Sequence, residues 1–325
     1  MAATKTIVRE HEADLVVQRA EIVADDVVAL TLADAAGGSL PPWTPGAHID
    51  LILDEDLTRQ YSLCSSPGEP NSWRVGVLRA PESRGGSERV HSSLSTGASV
   101  RVRGPRNHFP LVSSPRYRFI AGGIGITPML PMIAEADAAG AQWSLLYGGR
   151  ERASMAFLDE LTGYGDKVHI APQDETGMLD LAALLGTPEP DTLVYCCGPE
   201  GLLSAVEKFC ADWPPGALHL ERFAAKAQDT AADAGAESSF ELVLERSGLT
   251  LEVPSDKSVL QVIRDAGVSV LASCMEGVCG TCETEVVDGE VDHRDSILNE
   301  DERASNEFMM VCVSRCRSAR LTLDL

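Results

Sequence analysis

The sequence predicts three domains in line: an antiparallel β-barrel, an α/β domain built on a parallel sheet, and a small α+β unit. Three observations carry that reading. Up to about residue 113, short apolar alternations are broken by turn residues, the pattern of many short antiparallel strands. From 114 to 223, strand-like runs alternate with helix-like segments, as in a parallel sheet wrapped by helices. A third texture begins at 239 and holds three closely spaced cysteines with two more further along. A chain of 325 residues has room for all three.

The strands of domain 1–113 are read from Val27-Val-Ala-Leu-Thr-Leu32, His48-Ile-Asp-Leu-Ile-Leu53, Trp73-Arg-Val-Gly-Val-Leu78 and Val100-Arg-Val-Arg103. Turn signals separate them at Ala36-Gly-Gly-Ser39, Ser66-Pro-Gly-Glu-Pro-Asn71 and Gly104-Pro105. In domain 114–223, strands are expected at Arg118–Ala121, Trp143–Tyr147 and Thr192–Cys196. Helices are expected at Pro128–Ala139, Ala156–Leu161, Leu179–Leu185 and Pro199–Phe209. Residues 224–238 contain no Leu, Ile, Val or aromatic residue. They bury too little to offset the entropy of ordering and are expected to be a linker. In domain 239–325, Phe240, Leu242 and Leu244 alternate before a turn at Arg246-Ser-Gly248, and Leu249, Leu251 and Val253 alternate after it, which predicts a β-hairpin. Ser258-Val-Leu-Gln261 then has capping-box spacing ahead of a helix that Gly267 closes.

The net charge of −22 repels phosphate backbones and anionic lipid faces, so neither nucleic acid nor a membrane is expected as partner. The most apolar run, from Phe119 to Ala134, is broken by glycine and proline and falls short of a span. The first dozen residues lack the apolar core of a secretory signal. A cytoplasmic, reducing location follows as the expectation, and there nine cysteines speak for metal or redox chemistry rather than disulfides.

The strongest signal is Cys274-Met-Glu-Gly-Val-Cys279-Gly-Thr-Cys282, followed by Cys312. This is the plant-type spacing that holds a 2Fe–2S cluster through four thiolates. Gly277 and Gly280 supply the backbone freedom to turn N–H groups toward an anionic cluster. A four-cysteine zinc site is the rival, although zinc sites usually pair two motifs in which two to four residues separate the cysteines. Cys316 competes with Cys312 as fourth ligand on spacing alone. The other lone thiols, Cys64, Cys196, Cys197 and Cys210, default to packing.

Gly122, Gly123 and Gly125 open the expected Pro128 helix. Thr127 falls at the N-cap position and Pro128 at the first helical position. Such a start suits a pyrophosphate, or it is a plain strand–helix turn. Arg59-Gln-Tyr-Ser62 places a cation, an aromatic and a hydroxyl on one strand, and alone it equally reads as an ordinary half-buried strand. Ser83-Arg-Gly-Gly-Ser87 is a phosphate cradle or a plain loop. At Cys196-Cys-Gly-Pro-Glu200 the strand alternation turns one thiol inward and sets Cys197 at the crevice beyond the strand's carboxyl end. Phe223 is a core aromatic or a ring for a planar ligand. Arg150 and Arg152 follow the second strand of the α/β domain and are expected to face solvent, with pairing to a 2′-phosphate as the alternative.

Together these motifs, in this order, resemble the phthalate dioxygenase reductase family, within the ferredoxin–NADP reductase-like superfamily, along essentially the whole chain. The resemblance implies an FMN-binding barrel, an NAD-binding domain and a β-grasp ferredoxin at the C-terminus. It implies that Arg59, Tyr61 and Ser62 form the flavin strand, with Ser62 near the reactive flavin nitrogen. Gly85, Gly86 and Ser87 would hold the FMN phosphate. Gly122, Gly123, Gly125, Thr127 and Pro128 would form the nicotinamide loop, with Cys197, Gly198 and Pro199 near the nicotinamide ring and Phe223 stacked on the flavin. Cys274, Cys279, Cys282 and Cys312 would be the cluster ligands. FMN rather than FAD, and NADH ahead of NADPH, rest on the resemblance alone. The implied activity passes electrons from NADH through FMN and the cluster to a Rieske-type oxygenase or O-demethylase, with a haem monooxygenase as the alternative acceptor. Oligomeric state is not written in the sequence, and a monomer is the default. Residues 239–325 carry eight Lys/Arg against seventeen Asp/Glu, an acidic face able to steer a basic partner or simply to keep the protein soluble.

Overall fold

The computed structural model describes residues 11–54, 57–80, 85–225 and 238–325. The stretch expected to be a linker therefore lies mostly outside the described residues, as do Ser83 and Arg84 of the candidate cradle. The chain forms two compact units, Met1–Glu221 and Arg222–Leu325.

The first unit holds two sheets. Strands β1 (Glu12–Ala24), β2 (Val27–Asp34), β3 (His48–Asp54), β4 (Leu57–Ser62), β5 (Trp73–Leu78) and β6 (Ser99–Arg106) pair antiparallel in the order β4-β3-β6-β1-β2-β5. A bridge between Leu63 and Val75 joins the two ends of that order and closes the barrel. Its interior is filled by Leu15, Val17, Leu30, Leu32, Ile49, Leu51, Trp73, Val75 and Val77. Helix α1 (Gly86–Ser93) lies between β5 and β6 in the chain. The sequence pattern misses β1, because register shifts at Val17/Arg19 and Ile22/Ala24 break its alternation.

The second sheet is parallel. Strands β7 (Arg116–Gly122), β8 (Gln142–Gly149), β9 (Val168–Pro172), β10 (Thr192–Cys197) and β11 (Leu218–Glu221) run in the order β11-β10-β7-β8-β9. The chain winds one way from β7 through β8 to β9 and then crosses to β10. The switch point between β7 and β10 is where such sheets bind ligands. Helices α2 (Ile126–Ala138), α3 (Leu158–Leu161), α4 (Gln173–Thr176), α5 (Leu181–Leu185) and α6 (Glu200–Phe209) connect the strands. Phe119, Ile126, Met129, Ile133 and Tyr195 fill one core layer together with Val27 and Ala29 of the barrel's outer face. Truncating an aromatic such as Phe119, fully buried there, costs about 3–5 kcal/mol.

The second unit is a mixed sheet with a helix. Strands β12 (Phe240–Leu244), β13 (Leu249–Val253), β14 (Glu283–Asp288), β16 (Phe308–Met310) and β18 (Arg320–Leu323) stand in the order β13-β12-β18-β14-β16, with β12 and β18 parallel. Short β15 (Val291–Asp292) pairs with β17 (Arg315–Cys316). Helices α7 (Val259–Asp265) and α8 (Glu300–Ser305) complete the unit. Val259, Leu260 and Ile263 of α7 share a core with Leu242, Leu244, Leu321 and Leu323. Ser258 caps α7 through the complete capping box with Gln261, and Gly248 makes the hairpin turn at φ +64°.

Candidate functional site

Ser62 ends β4, Cys197 ends β10 and Glu221 ends β11. The three meet. The Ser62 hydroxyl donates to Glu221 Oε2 at 3.5 Å, and the Cys197 thiol approaches the same oxygen at 3.7 Å. Cys197 and Glu221 stand side by side in the β10–β11 register. Burial pushes the Glu221 carboxyl up to about 8. Burial, and then the neighbouring carboxyl, lift the Cys197 thiol well above its ordinary range. At neutral pH both hold their protons. Glu221 is the residue sequence reasoning missed. Its strand is four residues long and half-buried throughout, too short for any periodic signal.

Cys196 and Cys197 divide between the faces of the sheet, Cys196 with Ile120 and Val194 and Cys197 with Ile126 and Phe157. Cys197 does not open on the crevice as expected. It has no exposed surface, its side chain packing in the core with Ile126 and Phe157, while its carbonyl presses against Gly125, where a Cβ would sit 2.2 Å from Cys197 O.

That contact explains the glycine loop. A Cβ on Gly122 would meet Pro199 Cδ at 2.7 Å, and one on Gly198 would meet Gly122 Cα at 3.0 Å. Gly122, Gly125 and Gly198 thus let the β7 and β10 loops touch at the switch point, while Gly123 adopts φ +54°. The helix start differs from the expectation. Gly125 occupies the N-cap and α2 begins at Ile126. Thr127 lies within the first turn, its hydroxyl donating to Ile124 O at 2.9 Å, and Pro128 follows it. The cause is a short 3₁₀ turn, Gly123–Gly125, that carries the chain into the helix two residues early.

In the barrel, Arg59 lies against Gly86, whose Cβ would fall 2.4 Å from Arg59 Cγ. A guanidinium thus borders the start of α1, whose N-cap Gly85 is at φ +84°. A cation beside a helix N-terminus matches a phosphate. Ser87 is buried and its hydroxyl accepts from Ala80 N at 3.1 Å. Burial raises Tyr61 to about 12, so its hydroxyl stays neutral. Phe223, two residues beyond β11, is 45% exposed and so is no core aromatic. Arg152 is exposed and tied to Glu175 by two bonds of 2.9 and 2.6 Å.

In the second unit Cys274, Cys279, Cys282 and Cys312 are all buried. The Cys279 thiol faces that of Cys274, and the Cys312 thiol faces those of Cys274 and Cys282. The amides of Glu276 and Val278 point at Cys274 Sγ at 3.3 and 3.5 Å. Met275, Gly277 and Gly280 take φ between +61° and +70° to turn the loop. A Cβ on Gly277 would strike Val313 and Asp295. Among the described residues no three His, Cys, Asp or Glu side chains are grouped around a single ion. The four thiols instead link to one another through Cys274 and Cys312, and four cysteine thiolates are the donor set a 2Fe–2S cluster takes. Cys316 stands aside, its half-buried thiol held by Ser318 O at 3.1 Å.

Comparison with known proteins agrees with this geometry. Residues 242–317 match the 2Fe-2S iron-sulfur cluster binding domain, which retires the zinc reading, and residues 119–208 match the oxidoreductase NAD-binding domain. The chain is 44% identical over 304 residues to the phenoxybenzoate dioxygenase subunit beta of Ectopseudomonas oleovorans, covering 93% of this chain and 94% of that one. An intact type IV self-sufficient cytochrome P450 monooxygenase superposes with a TM-score of 0.91 and 46% identity over 97% of this chain, which spans only 41% of that longer protein. Phthalate dioxygenase reductase, a modular structure for electron transfer from pyridine nucleotides to a 2Fe-2S centre, superposes with a TM-score of 0.70 and 38% identity, covering 97% of this chain and 98% of that one. With its nicotinamide and 2Fe–2S domains in one polypeptide, the chain belongs to the phthalate dioxygenase reductase family of NAD(P)H-dependent oxidoreductases.

Proposed function

We propose that the protein is the reductase component of an oxygenase or O-demethylase system, drawing electrons from NADH through FMN and a 2Fe–2S cluster to a separate terminal oxygenase. The observation that carries this is the meeting of Ser62, Cys197 and Glu221 at the carboxyl end of the parallel sheet, against the barrel strand β4. When bound, FMN supplies the exchange between a two-electron donor and a one-electron acceptor; the protein supplies binding and tuning.

In this reading Arg59 and the start of α1 hold the phosphate end of the flavin, while Tyr61 and Ser62 border its ring. The touching loops at Gly122–Gly125 and Gly198 let backbone approach the nicotinamide nucleotide closely. Cys197, buried and protonated, walls the site and excludes water. Glu221 holds a proton at its carboxyl beside the Ser62 hydroxyl at neutral pH. Cys274, Cys279, Cys282 and Cys312 hold the cluster, and Phe223 serves as the stacking aromatic.

The partner is proposed to be of the Rieske type, with the chain acting as a cytoplasmic monomer. No helix among the described residues is long and apolar enough to cross a membrane. A haem monooxygenase partner is the second reading, favoured by the TM-score of 0.91 to the cytochrome P450 monooxygenase. Anaerobic titration with NADH and NADPH, followed by visible and electron-spin spectra, tests the core reading: flavin bleaching and then a reduced-cluster signal are expected. Absence of stoichiometric iron and acid-labile sulfide would refute it. Turnover on mixing with a Rieske oxygenase or a haem monooxygenase separates the two partners.

A further inference from the structure

Barrel strand β5 buries Val75 and Val77 in the barrel interior. Gly76 between them faces the other way, and in the β2–β5 register it stands opposite Ala29, which packs with the nucleotide-binding layer. Gly76 is absent from the glycines with positive φ, so its backbone conformation does not require glycine. Space does. A Cβ there would lie 2.9 Å from Thr127 Cγ2 and 3.1 and 3.2 Å from the Phe157 ring.

Thr127 is buried and belongs to the glycine loop, which its hydroxyl closes on Ile124 O. Its methyl is therefore the part that rests on the barrel. Phe157 is also held by Arg74, whose guanidinium lies over the ring at 5.1 Å from its centroid. Arg74 bonds both Glu160 oxygens at 2.8 and 2.7 Å and Cys64 O at 2.8 Å. Thr127 and Phe157 thus fill the space left by one missing side chain.

We infer that Gly76 is a positioning residue of the nucleotide site: its missing side chain lets Thr127 seat the glycine loop directly on barrel strand β5, which sets the spacing between loop and barrel. This rests on the nicotinamide and flavin reading given above. A methyl at position 76 presses on the Thr127 methyl and the Phe157 ring and so lifts the loop from the barrel.

The test is kinetic. Gly76→Ala in the full-length holoprotein is expected to raise the KM for NADH and slow flavin bleaching by NADH about tenfold, since a shift below 1 Å suffices for losses of that order. FMN content, cluster content and reduction by dithionite are expected to stay as in the wild type. The double variant Gly76→Ala/Thr127→Ser removes the methyl that clashes and is expected to recover most of the loss. Gly76→Ala kinetics equal to wild type, a loss of FMN in step with the loss of rate, or a double variant no better than Gly76→Ala would each overturn the inference. Should Gly76→Ala not fold, Thr127→Ser alone must raise the NADH KM by about twofold to threefold at unchanged FMN content, and an unchanged KM overturns the inference. A wild type that NADH does not bleach overturns the functional reading with it; a wild type that bleaches beside an indifferent Gly76→Ala overturns this inference alone.

Discussion

The two units build their sites in opposite ways. In the ferredoxin unit, three of the four thiols proposed as ligands fall within Cys274–Cys282, and the glycines among them are needed for conformation, Gly277 and Gly280 both lying at positive φ. In the first unit, Ser62, Cys197 and Glu221 come from three strands spread over 160 residues of chain. The glycines packed around the switch point and β5 serve closeness: Gly122, Gly125, Gly198 and Gly76 each lack a Cβ because another element occupies its place. A cluster loop encloses its ligand with one segment, whereas a crevice between two layers is made by letting those layers touch. The same residue type therefore reports different physics in the two halves.

The largest expected effect probes the local site. Cys279→Ser removes one thiolate of the Cys274–Cys279 pair, and the cluster does not survive with its native iron content. Acceptor reduction through the cluster is expected to fall at least about a hundredfold, a loss on the scale of removing a whole working part. Bleaching of the flavin by NADH persists. Retained oxygenase turnover, or loss of flavin reduction as well, would break the distinction between the two units.

Next comes the dispersed site. Glu221→Gln keeps the shape of the side chain and removes its titration, and is expected to slow flavin reduction by NADH about tenfold to a hundredfold, within the usual span of proton-handling groups. The same variant tests stability. Because burial raises the Glu221 carboxyl from an ordinary 4.5 to about 8, the folded state binds a proton that the unfolded state has released between those values. The stability this group contributes is full below about pH 4.5 and is lost as pH rises through about 8. The unfolding midpoint of the first unit is therefore expected to fall from pH 5 to 8 in the wild type and to fall less in Glu221→Gln. Cys197→Ala, which opens a small gap beside the carboxyl, is expected to slow flavin reduction by about fivefold to tenfold while FMN affinity changes less. Unchanged flavin reduction in stopped flow would remove Cys197 from the site.

What the sequence disclosed follows the same divide. The Cys274–Cys282 run, the β12–β13 hairpin and the Ser258 cap were legible because each is written within a few residues of itself, whereas Cys312 was named only through the family resemblance. Strands β2, β3, β5, β7, β8 and β10 were legible from apolar runs. Strand β1 was not, since its bulges interrupt alternation, and with β11 went Glu221, whose carboxyl matters only through neighbours 24 and 159 positions away. Cys316 was undecided from spacing because spacing does not say that its thiol turns to Ser318. Thr127 was misplaced as an N-cap because a 3₁₀ turn ahead of a helix leaves no mark in residue type.

The smallest expected effect concerns the two helix starts. Helix α7 is closed by side chains: Ser258 Oγ accepts from Gln261 N at 3.2 Å and Gln261 Oε1 from Ser258 N at 2.9 Å. Helix α2 has no side-chain cap at Gly125 and is entered through the Gly123–Gly125 3₁₀ turn; the proposed nucleotide site takes that uncapped start as its anion end. Ser258→Ala is expected to cost about 1 kcal/mol, a fall of roughly 5 °C in the melting of the ferredoxin unit. Saturating NAD⁺ is expected to do the reverse, raising the transition of the first unit by binding its folded form and leaving the second where it was. Calorimetry on the same holoprotein reads both. If Ser258→Ala lowers both transitions together, the units are not energetically separate; if NAD⁺ moves neither, the uncapped start of α2 is an ordinary turn after all.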